Sequence, residues 1–488
     1  MTDDSKIKLL SHQYEHYNNV CQIVQNQYAY LDLSNMGSGK TFITLALAAK
    51  YNLSLIVICP LSMITIWEKA CQNYRINLKA VTTYQSLRGS GKKPLKHCLL
   101  EKIDNQYQST NFFKNCVKEG LLLVFDECHK LKNPTAQLQA AHTLVKTLIN
   151  INSGSRIALL SATPFDKREH SVSILKMLGI ILHDKLYNYQ GTTNSYELLG
   201  LAELIKKCKQ INYLATKMII GNYLIDKKRA YELCYELFQK IIRPQVTSIM
   251  SSPKLDSEKD IADGFYNIRN KDLQLLTYGI NMLQKSTNYN DTIKSVNLTS
   301  IRWSDITTSL LIIEVAKLST MIRLATTTLN NNPQSKVILY FNFIKTIKSA
   351  TKRLKTFNPL VMYGQTKSQD RKNIISKFQL PTNDYRVLIS NPIVGGVGIN
   401  LDDHDGNWPR FMYVVPTYNF IDLHQATGRI YRTTTKSKAC IRFVYSKDYT
   451  IEASILNSLA KKAEVARKIL DHQTNILFPG EYPTFIEN

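Results

Sequence analysis

Residues 34–41 read Ser34-Asn35-Met36-Gly37-Ser38-Gly39-Lys40-Thr41, after an apolar run at residues 29–33 and before a run with helical periodicity. Glycine lets backbone N–H groups approach phosphate oxygens, and the start of the following helix favours anions. The sequence therefore predicts a phosphate-binding loop formed by residues 37–41. In such a loop Lys40 reaches the β- and γ-phosphates of a nucleotide, and the Thr41 hydroxyl ligates magnesium. An ordinary glycine turn is the alternative, because Ser34 stands where the general pattern has its first glycine.

A second signal is the apolar run at residues 121–125, which ends in Asp126-Glu127-Cys128-His129. At the carboxyl end of a strand, Asp126 is placed to hold magnesium, usually through water. Glu127 can polarise an attacking water. An acidic strand end that caps the next helix is the alternative. The phosphate loop upstream favours the first interpretation, which is hydrolysis of ATP with Mg²⁺.

Seven short apolar runs predict strands that are buried on both faces of parallel sheets. They lie at residues 29–33, 53–59, 121–125, 156–160, 337–341, 386–390 and 410–415. The runs alternate with helical patterns, as right-handed βαβ units do. They form two groups separated by a helix-rich middle, so we expect an α/β protein of three parts. The predicted bounds are 1–165 and 321–488 for the two sheet domains and 166–320 for a mainly helical insertion with a linker.

The composition is that of a globular protein with a polyanionic partner. The 488 residues are 44% hydrophobic and 20% charged, with a formal net charge of +24. Such a surplus points first to nucleic acid, with acidic lipid or solubility as alternatives. Nine cysteines without C-x-x-C spacing predict reduced thiols of an intracellular protein rather than disulfides or a zinc site. The polar first residues and the lack of a run of about 18 apolar residues predict neither secretion nor membrane insertion.

The order of four motifs resembles that of superfamily-two helicases. The phosphate loop and the acid box are followed by Ser161-Ala162-Thr163-Pro164 and by Gln425-Ala426-Thr427-Gly428-Arg429-Ile430-Tyr431-Arg432. Further segments resemble the Swi/Snf-like branch: His12-Gln13, Cys59-Pro60-Leu61-Ser62 with Trp67, Thr82-Thr83-Tyr84-Gln85, residues 395–401 and Thr450-Ile451-Glu452. The compact chain is also similar to ATPases of large DNA viruses.

The resemblance implies two RecA-like lobes with ATP between them. Gln13 and Gln425 would contribute to the nucleotide site, and Arg429 and Arg432 would approach the γ-phosphate as arginine fingers. Their spacing of three places both arginines on one helical face. Contact with a phosphate backbone, or surface charge, is the alternative for these two arginines.

The resemblance also implies a nucleic-acid groove across both lobes and residues that couple it to ATP. Hydroxyls and backbone N–H groups suit phosphate oxygens without reading bases. The candidate contacts are Ser62, Thr83, Tyr84, Gly364, Ser390 and Gly396. The candidate coupling residues are His129, Ser161 and Thr163. Core packing is the alternative for Tyr84, and satisfying a carbonyl is the alternative for His129.

These inferences predict a nucleic-acid-dependent ATPase motor that moves on DNA, with duplex DNA favoured. An RNA helicase and a non-catalytic scaffold with a remnant motor fold are the alternatives. The expected cofactors are ATP and Mg²⁺, and the expected partners are nucleic acid and the transcription machinery, with no membrane. The expected location is intracellular: the nucleus or cytoplasm, including a viral factory or virion.

Overall fold

The computed structural model describes residues 7–89, 98–190, 195–221, 226–250, 257–287, 303–392, 399–432, 434–448, 452–470 and 477–487. The chain divides into two compact units. The first comprises Met1–Pro253 with Val465–Thr474, and the second Lys254–Glu464 with Asn475–Asn488. Each unit contains a parallel α/β sheet, so the predicted architecture is confirmed. The predicted boundaries at 165/166 and 320/321 stay a prediction.

The strands of the first unit form one parallel sheet and two small antiparallel hairpins. In chain order they are β1 (Ala29–Asp32), β2 (Ser54–Cys59), β3 (Leu78–Thr83), β4 (Leu100–Ile103), β5 (Gln106–Ser109), β6 (Leu121–Asp126), β7 (Arg156–Leu160), β8 (Tyr187–Gln190), β9 (Ser195–Leu198) and β10 (Thr247–Ser248). The sheet order is β10-β1-β7-β6-β2-β3, and the hairpins are β4–β5 and β8–β9. Strands β1, β2 and β6 are buried at every residue because helices cover both faces of the sheet.

The helices of this unit follow the strands and then continue through the middle of the chain. They are α1 (Ser11–Asn26), α2 (Lys40–Lys50), α3 (Ile64–Asn73), α4 (Tyr84–Arg88), α5 (Asn111–Glu119), α6 (Ala136–Ile151), α7 (Ser171–Met177), α8 (Gly200–Ile211), α9 (Tyr213–Ile220), α10 (Lys227–Leu237) and α11 (Arg243–Val246). A π-helical turn at Phe238–Ile242 joins the last two. The core includes Val20 of α1, Leu45 of α2 and Trp67 of α3, packed with strand residues.

The second unit has a seven-stranded sheet whose pairings are all parallel. Its strands are β11 (Lys259–Tyr266), β12 (Lys336–Tyr340), β13 (Leu360–Met362), β14 (Val387–Ser390), β15 (Arg410–Val414), β16 (Ala439–Ser446) and β17 (Thr484–Ile486). The order is β13-β14-β12-β15-β16-β11-β17. Four of these strands, β11, β13, β16 and β17, were not predicted by the sequence analysis. All seven predicted apolar runs contain strands of the two sheets.

The remaining helices are α12 (Asn270–Thr287), α13 (Trp303–Asn331), α14 (Ile344–Arg353), α15 (Ser368–Gln379), α16 (Phe420–Thr427) and α17 (Ala453–Ile469). Met321 and Ala325 of α13 and Ile347 and Ala350 of α14 pack in the core of the second unit. Throughout the described part of the chain, every helix is too short or too polar to cross a membrane.

Candidate functional site

The phosphate loop turns sharply between β1 and α2. Gly37 and Gly39 have φ angles of +78° and +99°, and Gly39 is the N-cap of α2. A Cβ atom on Gly39 would lie 2.2 Å from Nε2 of Gln13, so a side chain there would collide with the glutamine as well as strain the backbone. Gln13 donates from the same Nε2 to the Ser38 carbonyl at 2.9 Å. Helix α1 therefore holds the loop from one side.

The loop also engages its own lysine. Lys40 donates from Nζ to the carbonyls of Ser34 at 2.8 Å and Asn35 at 3.0 Å. The ammonium thus already lies over the turn where phosphate oxygens would replace these carbonyl acceptors. Because Thr41 follows in the first turn of α2, the loop brings together the groups that a nucleotide phosphate requires.

A buried polar chain beneath the loop was not predicted from the sequence. His16 lies 3.0 Å from Asp32 through Nε2 and 2.8 Å from Oγ of Ser248 through Nδ1. The other carboxylate oxygen of Asp32 accepts from the Ser34 backbone N–H at 2.9 Å. Burial raises the pKa of Asp32, but His16, Lys40 and Ser34 outweigh it and leave that pKa below its usual value. The chain connects α1, β1 and β10 to the first residue of the loop.

The acid box lies at the carboxyl end of β6. Asp126 is 6% exposed, and Oδ2 accepts from the Trp67 indole Nε1 at 2.9 Å. Burial, and next the Glu127 carboxylate, raise the pKa of Asp126 to about 6, whereas Trp67 and Lys40 lower it. The Lys40 charge is therefore close enough to affect the acid box. The sequence analysis quoted Trp67 as part of a motif but did not predict its bond to Asp126.

Glu127 adopts a left-handed backbone conformation, with φ +56° and ψ +50°. This is an uncommon conformation for a residue with a side chain, and such strain concentrates at functional sites. One Glu127 carboxylate oxygen lies 3.2 Å from Nδ1 of His129, which is also 3.3 Å from the Ser161 hydroxyl. Ser161 accepts in turn from the Thr163 backbone N–H at 3.3 Å. The three predicted coupling residues therefore meet next to the acid box.

The predicted contacts of the first unit with nucleic acid differ in exposure. Ser62 is half-buried in the short turn Leu61–Met63. Thr83 is the N-cap of α4 and accepts from the Ser86 backbone N–H at 3.0 Å. Tyr84 requires a correction: it is only 2% exposed, and its hydroxyl donates to the Asp126 carbonyl at 2.7 Å. The core-packing alternative fits Tyr84, whose side chain supports the acid box instead of facing a groove.

Of the two predicted contacts of the second unit that the structure describes, one is open to solvent. Gly364 is exposed, and its carbonyl accepts from Arg371 at 3.0 Å. Ser390, at the end of β14, is fully buried, so its side chain is not available to a phosphate in this structure. Gly396 lies outside the described residues.

The predicted arginine fingers follow α16, which ends at Thr427, so the prediction that they share one helical face is wrong. Gln425 and Arg429 are buried, at 2% and 5% exposure. Arg432 donates to the carbonyls of Gly428 at 2.8 Å and Ile399 at 3.2 Å and to the Asn400 side chain. Burial, followed by the charge of Arg429, lowers the pKa of Arg432 to about 9. Their convergence with Lys40 on one nucleotide stays a prediction.

The donor set of the first unit fits a magnesium nucleotide. A hydroxyl at the start of α2 and a carboxylate at the end of β6 are hard oxygen ligands of the kind Mg²⁺ takes together with phosphate oxygens. Within the described ranges, no cluster of three or more His, Cys, Asp or Glu side chains could hold a metal by itself. Thr41 and Asp126 would therefore hold the ion jointly with the nucleotide.

Comparison with known families gives two matches, one for each sheet. A model described as the res subunit of type III restriction enzymes matches residues 6–166. The helicase conserved C-terminal domain matches residues 316–434.

Three relatives match over most of the chain. A protein of Acanthamoeba polyphaga mimivirus named as an ATP-dependent RNA helicase is 23% identical over 470 residues, covering 95% of this chain and 83% of the relative. The SWI/SNF chromatin-remodeling complex subunit snf22 of Schizosaccharomyces pombe is 22% identical, covering 89% of this chain and 26% of the subunit. The DNA repair and recombination protein RAD54-like of Drosophila grimshawi is 20% identical, covering 86% and 56%. These matches support a superfamily-two helicase of the Swi/Snf-like branch.

This helicase therefore has the motor domains of an ATP-hydrolysing enzyme that binds nucleic acid. It spans most of the viral relative but only a quarter to about half of the other two. Among solved structures, the SWI2/SNF2 ATPase core of Sulfolobus solfataricus in complex with dsDNA is 18% identical. The match covers 95% of this chain and 97% of the archaeal chain, with a TM-score of 0.32.

Proposed function

We propose that this helicase is a Mg²⁺-dependent ATPase that is stimulated by DNA and translocates along duplex DNA. The observation that carries the proposal is the meeting of two motifs at one edge of a sheet. Lys40 follows β1, Asp126 ends β6, and both strands run parallel with β7 between them. The Lys40 charge acts on the Asp126 carboxyl. This is the arrangement that positions a triphosphate beside a carboxylate.

In the proposed reaction, each group of the first unit has one task. Lys40 leaves the loop carbonyls to bind the β- and γ-phosphates, and Thr41 with Asp126 holds the ion that neutralises them. Two hydrogen bonds hold Asp126 in place: the Trp67 indole donates to its carboxylate, and the Tyr84 hydroxyl donates to its backbone carbonyl. Glu127 orients the attacking water, and His129 passes a change at Glu127 to Ser161. Arg429 and Arg432 approach the γ-phosphate from the second unit and stabilise the charge of the transition state.

DNA is favoured over RNA by the names of two relatives. The snf22 and RAD54-like relatives have names that refer to chromatin and to DNA repair. The mimivirus relative is named as an RNA helicase, which keeps RNA as the second candidate. A partner in transcription is suggested by a 26% identical match over 144 residues to a protein of Orgyia pseudotsugata multicapsid polyhedrosis virus named as a global transactivator.

The test is the ATPase rate of the purified chain alone and with duplex DNA, single-stranded DNA or RNA. Salt must be fixed, because phosphate binding depends on ionic strength. We expect the largest stimulation with duplex DNA. Greater stimulation by RNA would favour the RNA helicase.

Two variants test whether the chain is a motor at all. Lys40→Ala and Glu127→Gln should each reduce the stimulated rate by a factor of roughly 10³, since phosphate positioning and water orientation are both required. If the wild type does not hydrolyse ATP, or if hydrolysis persists in both variants, the motor hypothesis is wrong. The non-catalytic scaffold is then the better description.

A further inference from the structure

The second unit contains a long segment without any acidic residue. Residues 315–369 include nine Lys and Arg residues and no Asp or Glu. Five of the nine fall within or next to α14, at Lys345, Lys348, Lys352, Arg353 and Lys355. Even for a chain with a net charge of +24, five basic residues on or next to one short helix are a high local density of positive charge.

Helix α14 presents its lysines on one side. Lys345, Lys348 and Lys352 follow one another at spacings of three and four residues, so they lie in a row along one helical face. All three are exposed. The opposite face, with Thr346, Ile347 and Ala350, is buried in the core of the unit. We call Lys345, Lys348 and Lys352 the lysine row; because the helix is anchored by its apolar face, the row has to face solvent.

No acidic side chain neutralises the row within the described part of the chain. Its three ammonium groups take part in none of the ion pairs found there, whereas the exposed Lys438 and the half-buried Lys79 pair with glutamates. The neighbouring Arg353 donates to a neutral hydroxyl, that of Ser319, at 3.2 Å. The positive charge on this surface is therefore left uncompensated by the protein.

The row begins at the edge of the sheet where the predicted contacts Gly364 and Ser390 also lie, just after β13 and at the end of β14. Strand β12 ends at Tyr340, and α14 starts four residues later, at the carboxyl ends of the parallel strands. The intervening turn is held by the buried Glu314, which accepts from the backbone N–H of Asn342 and from that of Phe343 at 3.0 Å. A cavity of about 200 Å³ opens at this edge, lined by polar groups that include Asn342, Asn391, Thr417 and Asn419.

We propose that the lysine row of α14 binds the phosphate backbone of the nucleic acid on which this helicase moves. The inference rests on the proposed function and adds side-chain charge contacts that the motif residues do not supply. The row covers about 10 Å at a rise of about 1.5 Å per residue, a length over which duplex DNA presents about six phosphates. Three lysines can therefore each meet a phosphate on the facing strand.

Phosphate backbone fits the row better than a lipid surface does. A helix that binds a membrane needs bulky apolar side chains beside its lysines to enter the acyl region. On the exposed side of α14, the large apolar side chain is Ile344, which is only 37% exposed. The exposed side of α14 thus has positive charge but no apolar side chains that could enter a membrane. Such a surface suits a polyanion that stays in water.

The test is the salt dependence of DNA binding. A triple variant, Lys345→Gln/Lys348→Gln/Lys352→Gln, is titrated against a labelled duplex between 50 and 200 mM KCl. Each phosphate contact contributes about 0.9 to the slope of log affinity against log salt, so we expect the slope to fall by about 2 to 3. Affinity at low salt should fall at least tenfold, and the DNA concentration that half-maximally stimulates ATP hydrolysis should rise accordingly.

Two matched variants separate the proposal from a general charge effect. Lys102→Gln/Lys114→Gln/Lys118→Gln removes the same charge from exposed positions of the first unit and should leave the slope within about 1 of the wild type. Lys345→Arg/Lys348→Arg/Lys352→Arg keeps the charge and should bind like the wild type. The proposal is wrong if the Gln variant of α14 binds duplex like the wild type, if both Gln variants lose equal affinity, or if the α14 variant loses binding only to anionic vesicles. A wild type that DNA does not stimulate would instead refute the proposed function.

Discussion

Trp67 shows how much of the candidate site depends on residues outside the catalytic set. Its indole is completely buried and donates to the carboxylate that is proposed to hold magnesium. Removing the donor leaves the packing largely intact but frees Asp126 to rotate. It also withdraws an interaction that lowers the pKa of this carboxyl.

We expect Trp67→Phe to reduce the turnover number for ATP about tenfold while the affinity for a fluorescent ATP analogue changes little. The reason is that the lost bond positions a metal ligand instead of contacting the nucleotide, and a hydrogen bond to a charged group is worth roughly 1.5–3 kcal/mol. Trp408→Phe, at a buried tryptophan of the second unit, is the control and should retain turnover. Equal loss in both variants would indicate a packing defect.

Asp263 is a buried carboxyl group on β11 without a compensating charge. Burial raises its pKa to about 7, and a backbone N–H of Tyr482 offsets this only in part. The folded pKa thus lies above the unfolded value of about 3.9. The stabilisation linked to the bound proton is complete below the unfolded pKa and is lost as the pH rises through the folded pKa.

Asp263→Asn should therefore gain stability relative to the wild type as the pH rises from 5 to 8, by on the order of 2 kcal/mol. Thermal unfolding of both proteins at the two pH values measures the difference. Asp370→Asn, at an exposed position of α15, should show no such trend. A difference for Asp263→Asn that stays constant with pH would contradict the assignment.

For individual residues, the sequence predicted those that belong to motifs but not those whose hydrogen bonds hold the motif residues in place. Lys40 and Asp126 could be foreseen because their sequence context reflects the phosphate chemistry, and the His129–Ser161 contact because the resemblance to helicases implies it. The His16–Asp32 pair and the inward orientation of Tyr84 could not, since they depend on contacts between distant elements that leave no local pattern.

Among the elements, α13 is joined to β16 and to Glu452 by a buried ion pair and a hydrogen bond. Lys317 on α13 donates to the carboxylate of Glu452 and to the Val444 carbonyl of β16 at 2.8 Å, and both charged side chains are fully buried. Glu452 also accepts from the Ser446 backbone N–H at 2.8 Å. The pair thus connects α13, the end of β16 and the residue before α17.

Breaking this pair on one side leaves a buried charge without its partner. We expect Lys317→Met or Glu452→Gln to lower the free energy of unfolding by about 3–5 kcal/mol, as measured by urea denaturation. The double variant Lys317→Met/Glu452→Met should recover most of that loss, because apolar replacement of both partners is often nearly neutral. A double variant as unstable as the worse single one would show that the contacts with Val444 and Ser446 matter more than the charges.

The predictability of the strands follows the continuity of their apolar runs. The seven predicted runs are continuous and aliphatic because helices cover both sheet faces, and this pattern is visible locally. Strand β11 reads Lys259-Asp260-Ile261-Ala262-Asp263-Gly264-Phe265-Tyr266, with acids and a glycine that disfavour strands in isolation. It forms because β16 and β17 pair with it on both sides. Such a strand is determined by tertiary pairing, which local sequence does not encode.

For the whole molecule, the central prediction is that the two units share one nucleotide. Arg429→Ala tests it because Arg429 belongs to the second unit, while the phosphate loop belongs to the first. We expect nucleotide affinity to change little and turnover to fall by a factor of 10³ or more, since an arginine finger acts on the transition state. Rapid-quench measurement of the chemical step together with equilibrium nucleotide binding distinguishes the two effects. Parallel loss of both would place Arg429 in ground-state binding or in folding.

The position of β11 has a consequence for biosynthesis. This strand leaves the ribosome well before β16, and β17 comes later still, yet it lies between them in the finished sheet. Until β16 and β17 have been synthesised, both edges of β11 have unpaired N–H and C=O groups beside Phe265 and Tyr266, a state that invites misassociation. Newly made chains should therefore depend on chaperones during this interval, and the sheet of the second unit can form completely only after β17 has emerged.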